Sequence, residues 1–443
     1  MLRLHESLLT DFYQLSMLQA YYKERLHDRA VFEFFVRKLP ANRNFFVFAG
    51  LEQLLEYIST LSFSEEDLSY LANDPRFKDD FLEYLRHFRF TGDIHALQEG
   101  EVFFPNEPVV RIEAPLPEAQ LIESRLINIL QYQILVASKA ARCYLTAPNK
   151  DLIDFGFRRA HGSEAGVFAA RAAYLAGFAG TATVEAGRLF HIPTYGTMAH
   201  SYIQAHDHEE DAFWAFARAY PQNTVLLIDT YDCERAAHTL VRIAPQLAKE
   251  GIQIQAVRLD SGDMAAIAKK VRGILDAGGL SNVQIMASGS LDEEVIAKLL
   301  QSAPEINAFG VGTSLTTSAD APYLDCAYKL QMYANRPRRK RSTGKATWPG
   351  VKEVYRLYDS KGKMVRDTVC LAEESGEGEK LLQRVMQEGQ VVKQLSLEGA
   401  RTSFLQAIET LPDHLKTLET STYAVEISQT IQQLAQRLDT ELL

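Results

Sequence analysis

Several short stretches of the chain bring together residue types that handle phosphates and carboxylates. "GVGTS", residues 310–314, follows an apolar run and places Gly310 and Gly312 where a backbone can close on a phosphate and aim its N–H groups at it. "VRLDSGD" sets Arg258, Asp260, Ser261 and Asp263 at one strand end. Alternation sends Arg258 and Asp260 to the same side of the strand, so an anion receptor stands beside a carboxylate, with a structural ion pair as the plainer reading. "TYGTMAHSYIQAH" puts His200 directly after the Gly196-Thr197 step, with His206 and His208 close behind. His200 admits three readings. It is a zinc ligand, although no cysteine or carboxylate spacing completes a zinc signature; or a histidine satisfied in the core; or an acid/base or nucleophilic imidazole at a catalytic mouth, oriented by Asp229, Asp232 or Asp260. "DFGFRRAHG" adds the adjacent Arg158 and Arg159. The inventory suits a substrate with several negative charges, with a divalent cation bridging carboxylate and phosphate.

These residues need a scaffold that delivers them to one place, and the middle of the chain repeats one. "TVLLIDTYDCERAAHTLV", "IQAVRLDSGDMAAIAKKV", "VQIMASGSLDEEVIAKLL" and "INAFGVGTSLTTS" each begin with an apolar strand, pass through a small polar tip and run into a helix or turn. Near-continuous apolar strands belong to a parallel sheet buried on both faces. The tips at Asp229, Asp260, Ser288 and Gly312 recur at about thirty residues, the length of a βα unit. "DLIDFGFRRAHG", "GTATVEAG" and "IPTYGTMAHS" read as earlier members of the series. About seven such units, without G-x-G-x-x-G after the first strand, predict an irregular or incompletely closed (α/β) barrel over an open doubly wound sheet; in both folds the strands' C-terminal ends carry the site.

Ahead of the repeats, "LLTDFYQLSMLQAYYKE" has helical spacing and "AVFEFFVRKL" alternates as a strand does. The fold class expected is therefore α/β, an irregular (α/β) barrel with an α+β N-terminal domain completed by C-terminal segments. The boundaries read from the pattern are 1–120 for the N-terminal α+β domain, 121–335 for the barrel, and 336–443 for a C-terminal segment packing on the first. The last segment opens with the basic run "RPRRKRSTGKATWPG".

The totals narrow the function classes. A chain of 443 residues that is 47% apolar can bury a large core. A net charge of -10 gives no global field for nucleic acid, so an anionic substrate must meet local basic groups. The cysteines 143, 233, 326 and 370 form neither a C-x-x-C pair nor a disulfide framework. With no apolar signal core at the N-terminus and no run of ~18 uncharged residues, the expectation is a cytoplasmic protein without a membrane partner.

Taken in order, "TDFYQ", "FGFRRAHG", "GTMAHS", "VRLDSGD", "GVGTS" and "RPRRKRSTGKATWPG" resemble the nicotinate phosphoribosyltransferase family over nearly the whole chain. The resemblance implies a two-domain subunit in a homodimer. The implied reaction joins nicotinate to 5-phosphoribosyl 1-diphosphate, giving nicotinate mononucleotide and diphosphate in the salvage route to NAD, with Mg2+ and ATP as co-substrate. It implies that His200 is the residue phosphorylated by ATP, and that Asp260 is catalytic. It gives Arg258 the nicotinate carboxylate, with Thr197 nearby and Arg159 assisting. Tyr13 would stack on the pyridine ring of the neighbouring subunit, and Thr313 with the Gly310 and Gly312 backbones would bind the ribosyl phosphate. The metal ligands stay open, as does the run from Arg336 to Arg341, either a solvated loop or a contact to diphosphate or ATP. Ser201 stands where some members carry Glu, and Gly289 where some carry a polar residue, so no ribose contact is assigned there. The nearest alternative is a nicotinamide phosphoribosyltransferase, in which an aspartate rather than an arginine would face the pyridine substituent. Quinolinate phosphoribosyltransferase and a non-catalytic nucleotide-binding barrel are further alternatives.

Overall fold

The computed structural model describes residues 5–394 and 396–441. The chain forms two compact units, Met1–Ser138 with Tyr323–Leu443, and Lys139–Pro322.

In the first unit, strands from both chain ends build one seven-stranded sheet. Arg29–Val36 lies between Val110–Pro115 and Cys326–Tyr333, antiparallel to both. Gln383–Gln387 joins the same sheet beside Asp93–Ala96. The expected completion of the N-terminal domain by C-terminal segments is thus a shared hydrogen-bond ladder. The alternation of "AVFEFFVRKL" suggests one solvated face, yet every residue of the strand after Arg29 is buried. Both faces are covered, so Glu33 needs a partner there and finds Lys352 Nζ at 2.7 Å. A second sheet, of four strands, carries the fully buried Arg356 on Lys352–Tyr358. Its guanidinium is held by Asp367 and Glu101, each at 2.6 Å.

The second unit is a curled parallel sheet of six strands. Its order runs Thr224–Leu227, Ile254–Leu259, Gln284–Ser288, Ala308–Val311, Asp151–Asp154, Gly180–Thr181. Only the first and last strands are edges, so the sheet is a half-barrel with an open seam, the irregular form the repeats predict. An isolated parallel bridge from Thr181 to Thr194 extends the curl one step further. Helices Cys233–Lys249, Met264–Ala277 and Glu293–Ser302 follow three of the strands. Each begins at an aspartate whose side chain accepts an N–H of the first turn: Asp232 from Arg235, Asp263 from Ala266 and Asp292 from Val295. Two carboxylates that the sequence offers for chemistry, Asp232 and Asp263, are therefore helix caps. The buried Glu293 is clamped by Lys139 at 2.7 Å and Arg142 at 2.8 Å. Among the described residues, no helix is long and apolar enough to cross a membrane.

Candidate active site

Neighbouring strands of the half-barrel end in register, Arg258 opposite Met286 and Ser288 opposite Gly310, so consecutive tips deliver their side chains to one rim. Arg258 is the hub. Its Nη2 donates to Asp260 Oδ1 at 2.6 Å, its Nε to Ser288 Oγ at 2.8 Å and its Nη1 to Thr197 Oγ1 at 3.2 Å. Ser288 also donates to Asp260 Oδ1. Burial works to raise the pKa of the Asp260 carboxyl, but the Ser288 hydrogen bond and the Arg258 charge outweigh it and hold the group below its ordinary value. It stays an anion at neutral pH.

The network continues to the histidine. Asp229, with its side chain 2% exposed, accepts the Asp260 N–H at 3.1 Å and the Ser261 hydroxyl at 2.6 Å on Oδ2. Its Oδ1 stands 3.2 Å from Nε2 of His200, whose side chain is 40% exposed. Of the three aspartates that could orient this imidazole, Asp229 touches it. His206 instead pairs its Nδ1 with the Tyr202 carbonyl at 2.9 Å. Among the described residues, no group of three or more His, Cys, Asp or Glu side chains is arranged to hold a metal ion.

Beside Arg258 opens a cavity of about 290 Å³. Phe155 and Phe157 give it flat apolar walls, Thr197 a hydroxyl, and Arg158 and Arg258 two guanidiniums; no carboxylate lines it. Arg258 lies over the Phe155 ring, 5.4 Å from its centroid, and Phe155 packs on a buried cluster of Ile153, Met286 and Ala308. A planar apolar body carrying an anion matches this lining. Arg159 sits exposed next to Arg158 on the Phe157–Arg159 turn, and it is Arg158 that reaches the lining.

Gly310 lies in the Ala308–Val311 strand, Gly312 follows it, and the exposed Thr313 starts the short Thr313–Thr316 helix. A Cβ at Gly310 would come 2.6 Å from the Phe155 ring, and one at Gly312 would come 3.0 Å from the Phe155 carbonyl. The glycines thus admit the aromatic loop as well as leaving backbone open at the strand tip. Tyr13 lies in the other unit, on the Phe12–Glu24 helix, 47% exposed, with its hydroxyl 3.5 Å from Glu123. In the basic run, Arg339 and Arg341 pair with Asp439 at 3.4 and 3.2 Å.

Sequence reasoning did not single out Phe155, and it placed Ser288 at a strand tip without giving it a contact. The signal for Phe155 is an aromatic between a strand end and a glycine, at the height where tips face a ligand. The spacing marks Ser288 as a tip but not its partner, because its role depends on which strand lies next to Arg258.

A curled parallel sheet with a cationic, hydroxyl-bearing rim and a glycine-rich strand end defines a barrel-type enzyme for anionic substrates. Residues 8–131 match the N-terminal domain of nicotinate phosphoribosyltransferase, and residues 151–337 match the nicotinate phosphoribosyltransferase family. A nicotinate phosphoribosyltransferase of Mycobacterium tuberculosis is 45% identical over 424 residues, covering 95% of this chain and 91% of its own. One from Bacillus subtilis is 40% identical over 361 residues, covering 80% and 73%. The crystal structure of human nicotinic acid phosphoribosyltransferase superposes with a TM-score of 0.87 at 29% identity, covering 97% of this chain and all of that one. The chain belongs to the nicotinate phosphoribosyltransferase family.

Proposed function

We propose that the protein joins nicotinate to 5-phosphoribosyl 1-diphosphate, giving nicotinate mononucleotide and diphosphate, and that it couples the reaction to ATP hydrolysis through a phosphohistidine at His200. The observation that carries the reading is the placement of Arg258 and the Thr197 hydroxyl at the wall of an aromatic cavity that no carboxylate lines. An acid substituent gains a charge-assisted partner there. An amide would face guanidiniums, which can donate to its oxygen but leave its N–H groups unmatched.

In the reaction the pyridine nitrogen attacks the anomeric carbon of the ribose as diphosphate leaves. Positive charge develops on the sugar and negative charge on the leaving group, so the site needs fixed charges rather than a strong base. Arg258 and Phe155 hold the ring, with Arg158 or Arg159 assisting at the mouth. Asp260, kept ionised, would stabilise the sugar as it becomes cationic. The Gly310 and Gly312 backbones and Thr313 take the 5-phosphate. Asp260 would hold Mg2+ together with substrate phosphates, since among the described residues the rim offers no cluster of three or more such ligands and this ion commonly takes one or two carboxylates. When bound, it neutralises the leaving diphosphate.

For the phosphocarrier role, the His200–Asp229 contact sets the tautomer: Nε2–H donates to the buried carboxylate and Nδ1 keeps its lone pair. The nitrogen that takes the phosphoryl group from ATP is then Nδ1. The same reading has Tyr13 reaching the neighbouring site of a homodimer. It places the enzyme in the cytoplasm on the salvage route to NAD, where the four free cysteines suit a reducing medium. Turnover of nicotinate and nicotinamide, compared with and without ATP, tests the reading. Preference for the amide would overturn it.

A further inference from the structure

Asp154 ends the Asp151–Asp154 strand with no exposed surface. Burial pushes its carboxyl up, partly offset by hydrogen bonds from Thr181 and the Gly156 N–H. No ion pair reaches it among the described residues. A buried carboxylate without a cation disfavours folding, so its presence calls for a local role. The sheet does not need it: Ile153 pairs with Gly180 and Asp154 with Thr181 by backbone alone, and Ala182 N–H already donates to the Asp154 carbonyl at 2.8 Å.

The side chain does something the ladder cannot. Oδ1 accepts the Gly156 N–H at 2.8 Å and so fixes the turn that begins with Phe155. Oδ2 accepts the Thr181 hydroxyl at 2.7 Å, and the Thr181 Oγ1 accepts the Thr183 N–H at 2.9 Å. Thr181 in turn exchanges backbone bonds with the loop that leads to Thr197: its N–H donates to Pro193 at 3.1 Å, and its carbonyl accepts from Tyr195 at 2.9 Å. One carboxylate therefore links two segments that both line the cavity, one with Phe155, Phe157 and Arg158 and the other with Gly196, Thr197 and Met198.

We propose that Asp154 is a positioning residue for the nicotinate pocket, holding the Phe155 turn at a fixed distance from the Thr197 loop through the Thr181 hydroxyl. The proposal rests on the functional reading above, because the pocket it supports is the one assigned to the pyridine acid. Asp154 touches no substrate. Its effect reaches the ring through Phe155 and Thr197, so it belongs to nicotinate affinity and not to the phosphoribosyl site.

The test uses the full chain as wild type, Asp154→Asn, Thr181→Val, Thr181→Ser and the Asp154→Asn/Thr181→Val double variant. The readouts are calorimetric binding of nicotinate, the KM of each substrate, kcat and the melting temperature. Asp154→Asn and Thr181→Val are expected each to raise the nicotinate KM about tenfold, as loss of a hydrogen bond to a charged group would, with the phosphoribosyl diphosphate KM little changed. The double variant is expected to be no worse than either single one. Thr181→Ser, which keeps the hydroxyl, is expected to restore most of the affinity that Thr181→Val loses. An unchanged nicotinate KM in Asp154→Asn overturns the proposal, and so does a fall in kcat and both affinities in step with melting temperature. Should Asp154→Asn fail to fold, the Val and Ser pair at Thr181 decides. Wild-type protein that neither binds nor converts nicotinate would sink the functional reading and the proposal together; wild type that does both, with Asp154→Asn equal to it, would sink the proposal alone.

Discussion

The ring of Phe155 occupies the space that a side chain at Gly310 would fill, its Cδ2 standing 2.6 Å from where that Cβ would be. The glycine of the strand tip and the aromatic wall of the pocket are therefore one packing decision. Gly310→Ala forces the ring aside, and overpacking of this kind costs about 1–3 kcal/mol. The expected outcome is a raised nicotinate KM with a lowered melting temperature, measured by steady-state kinetics and calorimetry. An unchanged nicotinate KM would show that the ring's position does not matter to binding.

On the proposed reading, Arg258→Ala removes the charge-assisted partner of the substrate carboxylate, an interaction of about 1.5–3 kcal/mol. The nicotinate KM should rise by about ten- to a hundredfold. Arg258→Lys should recover only part of this, since one ammonium cannot serve Thr197, Ser288 and Asp260 together as the guanidinium does. Initial-rate measurements across nicotinate concentration check both.

His200→Ala is expected to abolish ATP stimulation and leave a slow ATP-independent turnover. In the wild type, phosphorus NMR of protein incubated with ATP should show the phosphoryl group on Nδ1. Asp229→Asn frees the imidazole to adopt the other tautomer and should lower the phosphorylated fraction. Phosphorylation at Nε2 would contradict the orientation assigned to Asp229.

Two buried ion-pair clusters make stability predictions away from the chemistry. Arg356→Met leaves Asp367 and Glu101 without their cation, and loss of one partner from such a site costs about 3–5 kcal/mol, readable in a denaturant titration.

Glu293 titrates below its ordinary value of 4.5, because burial, which raises it, is outweighed by Lys139 and Arg142. A depressed carboxyl stabilises the fold fully above its unfolded pKa, and that contribution is lost as pH falls through the folded one. Stability contributed by Glu293 should thus be constant at neutral pH and decline in acid below about 4.5. Glu293→Gln should flatten that acid limb in melting temperature measured against pH.

Much of the half-barrel was legible in the sequence, because buried parallel strands read as apolar runs and βα units repeat at a fixed length. That regularity placed Arg258, Asp260, Gly310 and Thr313 at strand tips. Neighbour relations were not legible. That Arg29–Val36 pairs with Cys326–Tyr333 depends on contacts nearly three hundred residues apart in the chain, which no local period encodes. The roles of Ser288 and Asp154 escaped for the same reason: one matters because its strand lies beside that of Arg258, the other because Thr181 lies across from it. Asp232 and Asp263 show the opposite limit. An aspartate just before a helix reads equally as ligand or cap, and only the geometry separates the two.

The central claim is that the cavity beside Arg258 selects a pyridine acid for transfer of a phosphoribosyl group. The most direct measurement incubates the protein with 5-phosphoribosyl 1-diphosphate, Mg2+ and either nicotinate or nicotinamide, with and without ATP, and identifies the products by mass. The account predicts nicotinate mononucleotide and diphosphate from the acid, more of both with ATP, and little product from the amide. Nicotinamide mononucleotide as the main product, or no nucleotide from either ring, would contradict it.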